Sequence, residues 1–330
     1  MYQPQIYGMA LSLMILSMLC WGSWANALKL CPGYRFQLFY WDYVIGLVMG
    51  AVVWGVTLGS FGSSGRAFYA DIAHVSVRSI VLAGLGGVIF NVANLLLVAA
   101  IDIAGLAVAF PIGIGLALVI GALSSYVIAP KGSPVLLFGG IALVTIAIVL
   151  DAIAYRMRET NRSVMSRRGI VLSLIAGVLM GCFYPFVSTA MTGAGAAGPY
   201  AAVFLFALGV AACSIPVNYL LMRRPLNGGE PARMPEYWRV KASWHLWGVL
   251  GGAVWSTGAV ANFVASQAHI VGPAVSYSIG QGATMISACW GIFIWKEFAF
   301  APRRSKLTLA WMFVFFLCGL TAIAVAPLFL

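Results

Sequence analysis

Uncharged apolar runs of about 20 residues recur from one end of this chain to the other, each long enough to cross the hydrocarbon layer of a bilayer as an α-helix. A backbone in hydrocarbon must satisfy its own polar groups, so a chain made of such runs folds as a bundle of spanning helices. Composition agrees, with 62% of the 330 residues hydrophobic, 8% charged and a mean hydropathy of +0.98. An ordinary soluble domain carries about 25% charged residues, so a soluble enzyme is excluded. Runs bounded by charge, glycine and proline predict ten spans, near 6–28, 39–59, 79–100, 103–128, 135–153, 169–190, 199–222, 246–267, 270–295 and 307–328. The expected fold is an all-α polytopic membrane protein with short connections and no folded domain outside the membrane.

The net charge of +11 reports orientation rather than a nucleic-acid partner, because no basic stripe is interleaved with exposed aromatics. Counting connections from the N-terminus, the odd ones hold sixteen Lys and Arg, among them Lys29, Arg35, Arg162, Arg168, Arg233 and Lys306. The even ones hold three, Arg66, Arg78 and Lys131. Loops rich in Lys and Arg stay in the cytoplasm, so both termini are expected outside it, in an inner or plasma membrane. The first 28 residues contain no Lys or Arg, unlike the basic start of a secretory signal, and read as a retained helix. Six cysteines show neither CxxC spacing nor a metal-site histidine, and most fall in apolar runs as small packing residues.

A basic stretch at 155–168 divides the expected helices five and five, giving units 1–154 and 169–330. The halves share a motif: Gly105-Leu-Ala-Val-Ala-Phe-Pro-Ile-Gly113 aligns with Gly272-Pro-Ala-Val-Ser-Tyr-Ser-Ile-Gly280. Upstream, Gly86, Gly87 and Phe90 match Gly251, Gly252 and Trp255. Five being odd, the second copy enters the membrane with opposite polarity, so the ten helices are expected as two inverted five-helix repeats. That plan characterises secondary transporters, whose central site lies between the repeats.

Chemistry inside such a bundle must come from the few polar residues in the spans. Neither a GxxxxGK[ST] loop nor any Gly-Lys pair is present, which removes ATP as the driver. Three histidines, His74, His245 and His269, lie near span ends or in a loop, so catalysis is not expected. Gly22, Asn26 and Lys29 share one helical stripe beside Trp21 and Trp24; Gly87, Asn91 and Asn94 share another. Trp255, Asn262 and Ser266 form a third, and Tyr277, Gly280, Gln281 and Thr284 cluster in the ninth span. Amides donate and accept without charge, and aromatic rings offer flat faces, so the expected ligand is small, polar and uncharged. The competing reading is that these amides tie helices together, each contributing about 0.6 kcal/mol.

Substrate-binding candidates are therefore Trp21, Asn26, Asn91, Asn94, Trp255, Asn262, Tyr277 and Gln281. Asp42, at the start of the second span, is the leading coupling or gating acid with Lys29 beside it; the alternatives are a helix-start carboxylate or an ion pair with Lys29 or Arg35. Asp102, Asp151 and Glu297 lie at span ends, where solvated or capping roles are expected. Small-xxx-small pairs such as Gly46 with Gly50 and Gly248 with Gly252 fit close helix packing. Pro111, inside the repeated motif, is expected to shape the site.

The segment Trp21-Gly-Ser-Trp-Ala-Asn-Ala-Leu-Lys-Leu30, followed by Tyr34-Arg-Phe-Gln-Leu-Phe-Tyr-Trp-Asp-Tyr43, resembles the drug/metabolite transporter superfamily. Within it the likeness is to the glucose/ribose porter and ureide permease branch, with rhamnose–proton symporters as relatives. The resemblance implies ten helices in two inverted halves, and transport of sugars or of allantoin-like ureides and nucleobases, often with protons. By position it points to Trp21, Gly22, Asn26, Lys29 and Asp42, while Gln37 stands where related bacterial sequences often have an acid. The resulting expectation is a proton-coupled importer of a small neutral solute, with the bilayer as its other partner, no cofactor and no metal. An exporter of the same superfamily, and a membrane scaffold or enzyme, are the competing readings; oligomeric state stays open.

Overall fold

The computed structural model describes residues 1–158 and 166–329; Arg162 and the centre of the basic stretch lie outside the described residues. The order is α1 (Tyr7–Ser23), α2 (Asn26–Lys29), α3 (Phe36–Val56), α4 (Phe68–His74), α5 (Val77–Ala104), α6 (Leu106–Ile128) and α7 (Pro134–Arg158). Then come α8 (Arg167–Ala190), α9 (Pro199–Arg223), α10 (Met234–Tyr237), α11 (Ala242–Ser266), α12 (Pro273–Gly280), α13 (Ala283–Cys289) and α14 (Arg303–Val325). Among the described residues there is no strand, and nine helices are long and apolar enough to cross a membrane, with α1 and α2 together forming the first. The protein is a polytopic α-helical membrane protein.

The chain's own signals set several helix ends. Ser76 and Ser166 cap α5 and α8 by accepting from the backbone N–H of Ser79 and Gly169, and Pro199 occupies the first turn of α9, where no N–H is missed. The expected span at 270–295 differs: it is divided into α12, α13 and a π-helical turn, Trp290–Ile294. Gly280 and Gly282 bracket Gln281 at the division, and glycine is the weakest helix former after proline. Backbone irregularity at membrane depth is tolerated where it borders a cavity, and this break does.

The repeated motif starts the same way in both halves. Gly105 ahead of α6 and Gly272 ahead of α12 have φ of 80° and 76°, a region that a side chain strains. Pro111 lies within α6, which continues through it.

The main interfaces join the first half of the chain to the second. α5 packs on α8 and α9, while α11, its ordinal counterpart, packs on α1 and α3. α6 packs on α8, α12 and α13 lie against α1, and α7 pairs with α14. Small residues allow the closest approaches: a Cβ on Gly87 would collide with the Phe206 carbonyl of α9, and one on Gly252 with the Tyr43 carbonyl of α3. Outward faces carry exposed side chains such as Val127, Val135, Ile215 and Leu246, as a hydrocarbon surround requires.

Candidate functional site

Between the halves lies a cavity of about 330 Å³. Its wall comes from the end of the first span (Trp21, Gly22, Trp24, Ala25, Leu28), from Phe36 of α3, and from Phe90, Asn94, Leu97, Val98 and Ile101 of α5. Phe110 and Ile114 of α6, Met180 and Phe183 of α8, Trp255 of α11, and Gln281, Ala283, Thr284 and Ser287 complete it. These residues occupy the middle of their helices and the ends nearest the odd-numbered connections. At the opposite face α4 is tied to the start of α9, where the Gly198 N–H donates to Asp71 Oδ2 at 2.7 Å. Burial pushes the Asp71 carboxyl above its ordinary range, although that N–H, Arg66 and His74 pull it down.

Aromatic rings form the cavity's rigid surface. Trp21 and Trp255 stack at 5.7 Å between centroids, and Trp21 Nε1 donates to the Trp255 carbonyl at 3.3 Å. Phe90 leans on Trp255 at 4.5 Å and meets Phe183 edge-on at 5.3 Å. The Trp21 ring fits because Gly258 and Gly280 leave room; a Cβ on either would come within 2.7 Å of it. Fixed rings bind a flat or C–H-rich ligand face at little entropic cost.

Polar capacity is small and uncharged. Asn94 Nδ2 donates to the Tyr40 hydroxyl at 3.4 Å, leaving Oδ1 as an acceptor. The Gln281 amide makes no hydrogen bond among the described residues, so it offers donors and an acceptor to a ligand. Thr284 and Ser287, three residues apart on one face of α13 beyond the break, line the same cavity. No charged side chain among the described residues lines the cavity, so a neutral solute enters without leaving a buried charge unpaired.

The eight binding candidates divide evenly. Trp21, Asn94, Trp255 and Gln281 line the cavity. Asn26 lies near it but accepts from Trp295 Nε1 at 2.6 Å and donates to the Ser23 carbonyl at 3.0 Å. Asn91, fully buried, accepts from the hydroxyls of Tyr40 at 2.8 Å and Ser214 at 2.9 Å. Asn262 accepts from the Tyr184 hydroxyl at 2.8 Å and donates to Ser17 Oγ at 3.2 Å and the Ser276 carbonyl at 2.8 Å. Tyr277 donates to the carbonyls of Ala117 at 3.2 Å and Met180 at 3.4 Å. In this conformation those four join helices. Sequence marks Phe90 only as a repeat counterpart of Trp255 and does not mark Phe183 or Met180, because an apolar side chain facing a cavity reads like one facing the core.

Asp42 and Lys29 belong to two separate clusters at the odd-connection end. Asp42, 1% exposed, accepts from the hydroxyls of Tyr34 at 2.7 Å and Tyr237 at 2.5 Å, with His245 Nδ1 at 3.0 Å from both its oxygens. Burial first, then the Asp42 carboxylate, pushes both phenols above their ordinary range. Arg35 pairs instead with Glu236 and with the carbonyls of Glu230 and Pro231, so it is not the ion partner of Asp42. Lys29 Nζ lies 2.6 Å from Glu297 Oε1, while Arg158 at 3.2 Å and the Tyr155 hydroxyl at 3.0 Å hold Oε2. Burial works to raise the Glu297 carboxyl, but Lys29, Tyr155 and Arg158 outweigh it and hold it below its ordinary range. Asp151, expected at a solvated span end, is inside α7 and 6% exposed, with Oδ1 unpartnered among the described residues.

A membrane-spanning bundle enclosing an uncharged, aromatic-walled cavity between its halves has the build of a transporter of small solutes. The chain belongs to the Sugar transport protein family, whose model matches residues 13–326. It is similar to Ureide permease 1 of Arabidopsis thaliana, 21% identical over 98% of each chain, and to Ureide permease 4 of the same plant, 23% identical over 97% of each. One solved crystal structure superposes with a TM-score of 0.65 over 95% of each chain at 14% identity, a likeness of fold. The protein is a transporter, not an enzyme.

Proposed function

We propose that this transporter imports a small neutral polar solute, a sugar or a ureide, across the inner or plasma membrane by proton-coupled alternating access. The observation that carries this reading is the uncharged cavity in which aromatic walls face Asn94 and the broken-helix residues Gln281 and Thr284. Four polar side chains suit a flat ring with one or two amide edges better than a hexose, whose many hydroxyls would lie against apolar walls. Ureides are therefore the first substrates to test, and the names of the plant relatives agree.

Crossed packing supports two inverted five-helix halves, 1–154 and 169–330, joined by the stretch 155–168, with the segment 273–294 as the ninth of ten spans. The third helix of each half lies on the first and second of the other, and the fifth helices pair. With the odd connections cytoplasmic and both termini outside, the conformation is inward-facing.

Coupling is assigned to Asp42 and His245. They link α3 to α11 across the halves, so a change of protonation alters an interface that alternating access must rearrange. Radiolabelled allantoin and glucose uptake into proteoliposomes tests the reading. Accumulation driven by an inward proton gradient is expected, with Asp42→Asn retaining exchange but losing accumulation. Uptake indifferent to the gradient removes the proton, and solute driven out against its gradient favours the exporter.

A further inference from the structure

Away from the central cavity, a hollow of about 400 Å³ lies at the odd-connection end, between the π-helical turn, the connection after it and the first turns of α14. Ile292, Phe298, Leu309 and Phe313 give it an apolar floor, and Lys296 and Lys306 contribute the charge. Along α14 the sequence is graded: Arg303, Arg304 and Lys306 occupy the first turn, and Leu309, Ala310 and Phe313 lie one to two turns deeper in the span. Neighbouring Phe293, Ile294, Leu307 and Trp311 are more than half exposed, so the hollow borders the hydrocarbon of the bilayer.

The charge here is unbalanced. Glu297 is the one acid between residues 290 and 306, and it faces away, held by Lys29, Arg158 and Tyr155. Lys306 Nζ donates to the Ala299 carbonyl at 3.1 Å, and neither it, Lys296, Arg303 nor Arg304 makes an ion pair among the described residues. Lys296 is the single non-glycine residue among those described with positive φ, at 52°. Lys296 and Lys306 thus border the hollow with no carboxylate paired to either among the described residues.

We propose that this hollow binds one anionic phospholipid of the cytoplasmic leaflet, with its phosphate between Lys296 and Lys306 and an acyl chain along Leu309, Ala310 and Phe313. Charge complementarity selects the anionic headgroup, and the apolar floor on the lipid side selects an amphiphile over a free anion. This is independent of the transported solute and of the coupling ion.

The test uses the full chain purified in neutral detergent, with phosphatidylglycerol, phosphatidylcholine of the same acyl chains, or glycerol phosphate added. Phosphatidylglycerol should be retained in native mass spectra and raise the melting temperature, while the other two should do neither. Lys296→Gln with Lys306→Gln should weaken retention by roughly one to two orders of magnitude. Ala310→Trp, which fills the exposed floor and keeps every cation, should abolish retention even if the double variant folds poorly. Equal effects of the two lipids, full activity of glycerol phosphate, a lipid-free dimer that buries the hollow, or undiminished retention by Ala310→Trp would each overturn the proposal.

Discussion

Residue by residue, similar polar chemistry serves two different tasks. Gln281→Ala removes a free amide from the cavity and should raise the half-saturation concentration about five- to tenfold without lowering the melting temperature. Asn262→Ala should do the reverse: it strands the buried Tyr184 hydroxyl, costing about 1–3 kcal/mol of stability, while substrate affinity of the folded protein holds. Asn91 and Asn94 show why sequence cannot make that division. They share a stripe in α5, yet one bonds Tyr40 and Ser214 and the other reaches the cavity, a difference set by neighbouring helices. His245 and Tyr237 are likewise about two hundred residues from Asp42, and nothing local reveals their meeting. Glu297 gives a pH signature. Because its folded carboxyl lies below the ordinary 4.5, its stabilisation is complete above that value and is lost as pH falls through the lower folded value. Melting temperatures measured from about pH 6 down to about pH 3.5 should therefore fall more steeply for the native protein than for Glu297→Gln.

Among elements, the spans were legible because hydrocarbon imposes length and apolarity on every one of them. Observed helices such as α8 and α9 match the expected 169–190 and 199–222 within two residues at each end. The segment expected as the ninth span was legible as an apolar run but not as a broken helix, because glycines occur throughout these helices and most are continuous. Gly282→Ala restores helix propensity between α12 and α13 at the expense of contacts with the flexible Met18 side chain. The variant should fold and bind solute but turn over more slowly, as separate binding and transport assays would show. Where backbone meets backbone the outcome differs: Gly252→Val in α11, against α3, and Gly87→Val in α5, against α9, should both abolish recovery of folded protein.

At the scale of the molecule, the cavity lies toward one membrane face. In a background without the six native cysteines, Ser287→Cys should react with a membrane-impermeant thiol reagent in inside-out vesicles and be protected in right-side-out ones. The opposite pattern would reverse the topology. The doublets at Gly86 and Gly251 and the glycines at Gly105 and Gly272 were readable in sequence, because glycines needed for close approach or positive φ leave a signature that ordinary lipid-facing positions do not.

The crossed interfaces also say how such a chain must be born. As the ribosome releases the first five spans, the seams of α5 and α3 have nothing to close on, since their partners α9 and α11 are still untranslated. The nascent half must wait in the bilayer with those surfaces bare to lipid, and two separately synthesised halves should yield stable protein only when made together.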